Sequence, residues 1–132
     1  MTLLDANVVV HYLKGHPQVT ARLKQIARDE LAIPAIVVYE LEYGTLRSRL
    51  AAGRRRQLEE GFKSIQHVPF DSAAAMAAAR IRIELETRGM SIGPLDLLIA
   101  GTALSRGATL VTNNIREFSR VPALNVVDWK ST

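Results

Sequence analysis

The chain contains no cysteine. That absence removes disulfide frameworks, thiolate metal sites and cysteine nucleophiles, and it fits a reducing compartment. Histidine is scarce as well: His11, His16 and His67 are the three, and they have no metal-ligand spacing. Aromatic residues make up 5% of the sequence, too few for a base-stacking platform of the RRM or OB kind. No apolar run approaches the roughly 20 residues that cross a bilayer. The opening Met-Thr-Leu-Leu-Asp lacks the basic and apolar regions of a secretory signal, so a cytoplasmic protein with no membrane partner is expected. There is also no Gly-rich phosphate loop and no Ser/His/Asp order that carries weight.

What is present is a chain of 132 residues, 48% hydrophobic and 23% charged. That size and composition suit one compact domain, 1–132, with a substantial core. Seventeen Lys and Arg against thirteen Asp and Glu give a net charge of +4. A basic exterior suits a polyanionic partner, although charge alone is equally compatible with a merely soluble basic protein.

Short apolar strands alternate with helices along the sequence. A strand at Leu3–Leu4 leads into a helix over 6–14, closed by Gly15-His16-Pro17. A second, amphipathic helix runs to about 30, with Val19, Leu23, Ile26 and Ala27 on one face. A strand over 31–33 follows, and Pro34 suits the first turn of a third helix that carries Glu40. A charged helical stretch over 45–64, broken near Gly53, precedes a strand over 65–70. Asp71-Ser72 can cap the Ala-rich helix 73–88, stopped by Gly89. Gly93-Pro94 opens a helix to about 106, and strands at 109–112 and 125–127 close the pattern. This alternation predicts an α/β fold, three layers α/β/α around a central, mainly parallel sheet. Such sheets bind ligands at the carboxyl ends of their strands.

Four acids fall inside short phrases that place them at such ends or on core-facing helices. Asp5 in LLDAN ends the first strand; alone it would be a helix cap, and Asn7 stands one turn further on. In VYELEYG, Glu40 and Glu42 point to different faces, so they cannot serve one site equally. Asp96, in the first turn of its helix, lies where the dipole favours an anion. Ile99, Ala100, Gly101 and Ala103 behind it allow close packing on the sheet. Glu117 belongs to a polar loop, Thr112-Asn113-Asn114-Ile115-Arg116-Glu117-Phe118, in which Thr112 and Asn114 can assist it. Carboxylates gathered in one pocket are costly unless a hard divalent cation neutralises them. If these four converge, they describe a Mg²⁺ or Mn²⁺ site on a basic protein, hence a nuclease. Arg47, Arg49, Arg54, Arg55 and Arg56 form a basic segment that is either a solvated helix face or a phosphate-contact surface.

Taken together, LLDANVVVHYL, ELEYG, IGPLDLLIAGTALSRGATLVTNNIREFSRVPAL and the closing Asp128-Trp129 resemble the PIN-domain ribonucleases, and within them the VapC-type toxins of toxin–antitoxin pairs. The resemblance spans nearly the whole chain. It implies catalytic acids at Asp5, Glu40, Asp96 and Glu117, with Asp5 and Asp96 as metal ligands. Asn7, Thr112 and Asn114 would support them, and whether Glu117 or Asn114 completes the metal site stays open. It further implies one or two Mg²⁺ or Mn²⁺ ions, a homodimer, and a cognate VapB-type antitoxin whose C-terminal segment occupies the groove near the acids. The substrate implied is structured RNA, commonly tRNA and in some members initiator tRNA. Ala6 departs from the family's LLDTN, removing a hydroxyl beside the first ligand. Two rivals are a nuclease or phosphohydrolase of the same fold acting on another substrate, such as DNA, and a non-catalytic module whose anionic pocket holds a partner's Arg.

Overall fold

A computed structural model of the chain describes residues 1–49 and 51–130. Five strands are present: β1 (Thr2–Leu4), β2 (Leu31–Pro34), β3 (Gln66–Val68), β4 (Thr109–Val111) and β5 (Asn125–Val127). They form one sheet in the order β3-β2-β1-β4-β5, parallel at every pairing. The seven α-helices are α1 (Ala6–Leu13), α2 (Pro17–Lys24), α3 (Ala35–Arg47), α4 (Ala51–Phe62), α5 (Ser72–Thr87), α6 (Pro94–Ser105) and α7 (Ile115–Phe118). From β1 the chain steps to β2 and β3 on one side, then returns past β1 to β4 and β5. Right-handed crossovers therefore put α1–α4 on one face and α5–α7 on the other, the α/β/α layering expected from sequence.

β1 is central, and Leu3, Leu4, Leu110, Val111 and Leu31 on the three middle strands are all at most 1% exposed. Burial on both faces is why these strands read as unbroken apolar runs rather than alternating ones. Ile99 and Phe118 complete the core from α6 and α7. Gly101 packs against α5 rather than the sheet: a Cβ there would lie 2.7 Å from the Ala74 carbonyl and 2.7 Å from the Ala78 Cβ. Small residues on both helices thus let α5 and α6 approach closely, and only glycine fits the crossing.

Several boundaries differ from the sequence expectation. The second helix ends at Lys24, and Ala27 turns extended before a short 3₁₀ turn, Arg28–Glu30, that delivers Leu31 into register with Thr2. Pro34 is the last residue of β2 and the N-cap of α3, not part of its first turn. The break in the charged helical stretch falls after Arg47, where Ser48 is extended, and α4 runs straight through Gly53. A glycine inside a helix costs only about 1 kcal/mol, and burial of Phe62, edge-on to Tyr12 at 5.4 Å, offsets it. The Ile115–Phe118 part of the polar loop is a helical turn.

Candidate active site

β1 and β4 are neighbours, yet the chain leaves them in opposite directions, toward β2 and β5. The crevice beyond their carboxyl ends is the topological switch point, where sheets of this kind bind ligands. The chain delivers Asp5 to it from β1 and Thr112, Asn113 and Asn114 from β4. The Asp5 N–H still donates to the Val111 carbonyl (3.0 Å), so the ladder runs one residue past the strand and fixes the carboxylate at its edge.

Asp5 is 5% exposed. Its Oδ1 accepts from the Ala6 N–H (2.8 Å), and its Oδ2 accepts from the Thr112 hydroxyl (2.6 Å) and from Asn7 Nδ2 (3.4 Å). It is thus the N-cap of α1 and also tied across to β4, which a cap alone does not require. Burial raises its proton affinity, and the hydrogen bonds, that from Thr112 first, oppose the rise. The buried Thr112 hydroxyl accepts in turn from the Asn114 N–H (3.0 Å), and Asn7 Oδ1 accepts from the Asn113 N–H (3.2 Å). Asn114 then extends Nδ2 to Glu117 Oε2 (2.9 Å) and Asp96 Oδ2 (3.3 Å). One hydrogen-bonded path therefore joins Asp5 to the Asp96–Glu117 pair through Thr112 and Asn114.

Asp96, in the first turn of α6, has its pKa raised to about 7. Burial is the largest cause, followed by a hydrogen bond with Glu117 and the negative charges of Asp5, Glu117 and Glu40. A helix N-terminus favours an anion by roughly 0.3–1 kcal/mol, less than one pKa unit. Burial among three other acids outweighs that preference, so the dipole expected to hold a carboxylate here loses to its surroundings. Glu117 moves the opposite way, its pKa lowered by the hydrogen bond with Asp96, then by Asn114, with Arg120 and the Gly93 N–H contributing further. Of these two carboxyls, Asp96 holds its proton more tightly than an ordinary aspartate and Glu117 less tightly than an ordinary glutamate.

Glu40 approaches from α3. Burial raises its pKa first, and the charge of Asp5 raises it further. Its Oε1 is buried with no hydrogen-bond partner among the described residues. Glu42 faces α4 instead, where Arg55 holds it with both guanidinium nitrogens and lowers its pKa. The structure thus brings Asp5, Glu40, Asp96 and Glu117 into one electrostatic unit and leaves Glu42 out of it. Of the basic segment, Arg55 is taken up by Glu42 and Arg47 lies 5.5 Å over the Tyr43 ring. Arg49, Arg54 and Arg56 line an open cleft beside α1.

Among the described residues, no group of three or more His, Asp or Glu side chains is arranged to hold a metal ion. The donor set nevertheless fits a hard divalent cation. It consists of oxygen alone, its members repel one another, and one oxygen of Glu40 is buried without a donor. Asp5, Glu40, Asp96 and Glu117 are the residues that could hold it. The sequence places Asn113 at the sheet's edge without giving it a role; its N–H joins the two strand ends, and its own Oδ1 is buried with no partner among the described residues. A third polar residue between Thr112 and Asn114 was the only signal available for it.

A five-stranded parallel sheet with acids gathered at its switch point defines a class, and the comparison with known proteins agrees. The PIN domain family model matches residues 2–124, and the chain belongs to that family. Within it, the chain is 38% identical to the tRNA(fMet)-specific endonuclease VapC of Salmonella typhimurium over 128 residues, 96% of each chain. It is 36% identical to ribonuclease VapC2 of Rickettsia felis, again over 96% of each. The crystal structure of VapBC2 from Rickettsia felis, bound to a promoter DNA fragment, superposes with a TM-score of 0.91 at 35% identity, covering 97% of this chain and 98% of that one. The family branch is therefore that of the VapC ribonucleases.

Proposed function

We propose that this chain is a metal-dependent endoribonuclease toxin that hydrolyses phosphodiester bonds in structured RNA and so stops translation. The observation that carries the proposal is the convergence of Asp5, Glu40, Asp96 and Glu117, none of them in an ion pair among the described residues, at the carboxyl edge of a basic protein's sheet. tRNA is the substrate class, and the Salmonella relative's name, tRNA(fMet)-specific endonuclease, makes initiator tRNA the first to test.

Asp5 and Asp96 would be the primary ligands for Mg²⁺ or Mn²⁺, and Glu40 and either Glu117 or Asn114 would complete the set. When bound, such an ion supplies an activated water for in-line attack and offsets charge developing on the phosphate. The chain's own groups prepare the site. Thr112 and Asn7 fix the rotamer of Asp5, Asn114 holds Asp96 and Glu117 side by side, and Asp96, whose proton affinity is raised, would have to be deprotonated to serve as a ligand. Because water is the nucleophile, the RNA 2′-hydroxyl takes no part. The expected products carry 5′-phosphates, with no cyclic phosphate.

A VapB-type antitoxin is the expected inhibitor, supported by the relative solved as a VapBC complex, and the cytoplasm is the expected site of action. A homodimer is proposed as well. Tyr39, Tyr43 and Leu46 on α3 and Met76 and Ile83 on α5, all more than half exposed, provide apolar surface for such contacts. No helix of the described residues is long and apolar enough to cross a membrane.

The test uses chain purified free of antitoxin, incubated with total RNA and Mg²⁺ or Mn²⁺. Wild type should cut, and Asp96→Asn should lose roughly 10²-fold or more, as expected when a ligand or nucleophile is displaced. Equal cleavage by the variant would sink the proposal, and cyclic-phosphate ends would sink the mechanism.

A further inference from the structure

Away from the acids, an open cleft of about 740 Å³ lies between the end of α1 and the start of α4. Its walls include Lys14, Arg49, Arg54 and Arg56, and Glu60 is their one acidic residue. Other arginines are neutralised: Arg55 pairs with Glu42, Arg82 with Glu86, Arg88 with Glu84 and Arg106 with Asp71. Among the described residues, none of the four cleft cations is in an ion pair. Four unpaired cations around one cleft repel each other, an arrangement that a chain of phosphates would relieve.

Arg54 links this cleft to the acids. It is half-buried, and it also lines a smaller cavity of about 130 Å³ whose walls include Glu40 and Ala6, the residue after Asp5. Arg54 thus connects the cleft to the cavity that Glu40 borders, as the one cation common to both. No aromatic side chain lines the cleft, so nothing in it stacks on bases.

We infer that this cleft is the phosphate track for the RNA strand whose scissile bond lies over the acids, with Lys14, Arg49, Arg54 and Arg56 as its contacts. The inference rests on the nuclease proposal and narrows it. Lys14, far from the arginine segment in sequence, joins the contact surface, and Arg47 and Arg55 leave it. An acidic stretch of a protein partner is the other conceivable occupant. The cleft favours RNA because its walls hold no aromatic anchor and Leu13 is their only large apolar side chain, whereas protein interfaces take most of their affinity from buried apolar and aromatic anchors. Contacts of this type set affinity and register and carry no sequence information.

The test compares wild type with Lys14→Gln/Arg49→Gln/Arg56→Gln. Arg54 stays intact because it borders the Glu40 cavity. Binding of bulk tRNA is measured in EDTA across a salt series, and cleavage is measured with Mg²⁺. The triple variant should bind roughly 10–100-fold more weakly at moderate salt, and the slope of log K against log[salt] should be shallower by about 2. The cleavage defect should fall on KM, with kcat changing less than about threefold. Arg49→Lys/Arg56→Lys should retain most of the affinity, because a phosphate track reads charge. Arg82→Gln on the far side of α5 should bind as wild type. If the triple variant folds poorly, the three single variants report the same slope, each shallower by about 0.7–0.9.

Wild-type cleavage together with an unchanged slope and KM in the triple variant would overturn the track and leave the nuclease proposal standing. Loss of antitoxin binding with tRNA binding intact would overturn it in favour of a protein partner. Failure of wild type both to bind and to cut RNA would overturn the nuclease proposal, and the track with it.

Discussion

Glu40 and Glu42 lie two residues apart on α3 and meet opposite surroundings. Two positions along a helix is a rotation of about 200°, so one carboxylate faces the sheet's edge and the other faces α4. Glu42 is gripped by Arg55 and held below the ordinary glutamate range. Glu40 has a buried oxygen with no donor, feels the charge of Asp5 and is pushed up. The contrast repeats across the molecule. Asp71, Glu84 and Glu86 each pair with an arginine, whereas Asp5, Glu40, Asp96 and Glu117 make no ion pair among the described residues. Acids paired within or between helices bring their countercharge with them. Acids left short of one mark the place where it must come from outside.

The largest expected effect breaks that comparison at its centre. Asp5→Asn keeps the shape and the capping geometry but removes a charge from the crevice, and RNA cleavage should fall roughly 10²-fold or more. Glu42→Gln, which removes an equal charge two residues from Glu40, should leave cleavage within about threefold of wild type. Initial rates on labelled tRNA at saturating Mg²⁺ measure both. Comparable losses in the two variants would mean that pairing does not separate structural acids from functional ones here.

A second, smaller effect is thermodynamic. Asp96 binds its proton more tightly in the folded protein, up to about 7, than its usual 3.8. Between those values the folded state holds more protons than the unfolded one, so stability must fall as pH rises through the window. Asp5 and Glu40 are shifted in the same direction and add to the fall. Glu117, shifted down, acts with the opposite sign, but only up to its ordinary value of 4.5 and so below pH 5. In the absence of divalent ions, Tm should therefore decline by a few degrees from pH 5 to pH 8. Asp96→Asn should flatten the decline. Mg²⁺ or Mn²⁺ should restore Tm at pH 8 in the wild type, a readout independent of activity. A Tm that rises with pH in EDTA would contradict the raised proton affinity of Asp96.

Much of this contrast was legible in the sequence because its determinants are local. LLDAN places an acid at a strand end, GPLD places one in a first turn, and the strand–helix alternation fixes which edge of the sheet they share. That Glu40 and Glu42 face different ways follows from helical geometry alone. What the sequence could not carry were facts that depend on a second element. Arg55 looked like any other cation of its segment until α4 folded against α3 and gave it to Glu42. Lys14 reaches the basic cleft only because α1 ends beside α4. Asp96 read as a residue stabilised by its helix dipole, and only the assembled crevice shows burial and its neighbours winning. The helix break was sought at Gly53, where glycine signals it locally, yet it falls at Ser48, where the backbone turns extended so that α4 can dock its Leu58–Phe62 face.

The smallest effect is the sharpest, because its sign differs between the two glutamates. Glu40→Gln removes a charge that is half-buried, repelled by Asp5 and without a donor on one oxygen, so it should raise Tm, by less than the pH effect, while lowering cleavage. Glu42→Gln removes half of an exposed ion pair that joins α3 to α4, so it should lower Tm slightly while sparing cleavage, and high salt should shrink that loss. Both variants lose one negative charge, so any change in the protein's overall charge cancels between them. What remains is the difference between an acid that costs the fold and one that supports it. Melting curves at pH 8 in EDTA, at low and high salt, read it directly. If both substitutions move Tm in the same direction, the missing cation beside Glu40 is not a source of strain, and the argument from unpaired charge to function loses its physical basis.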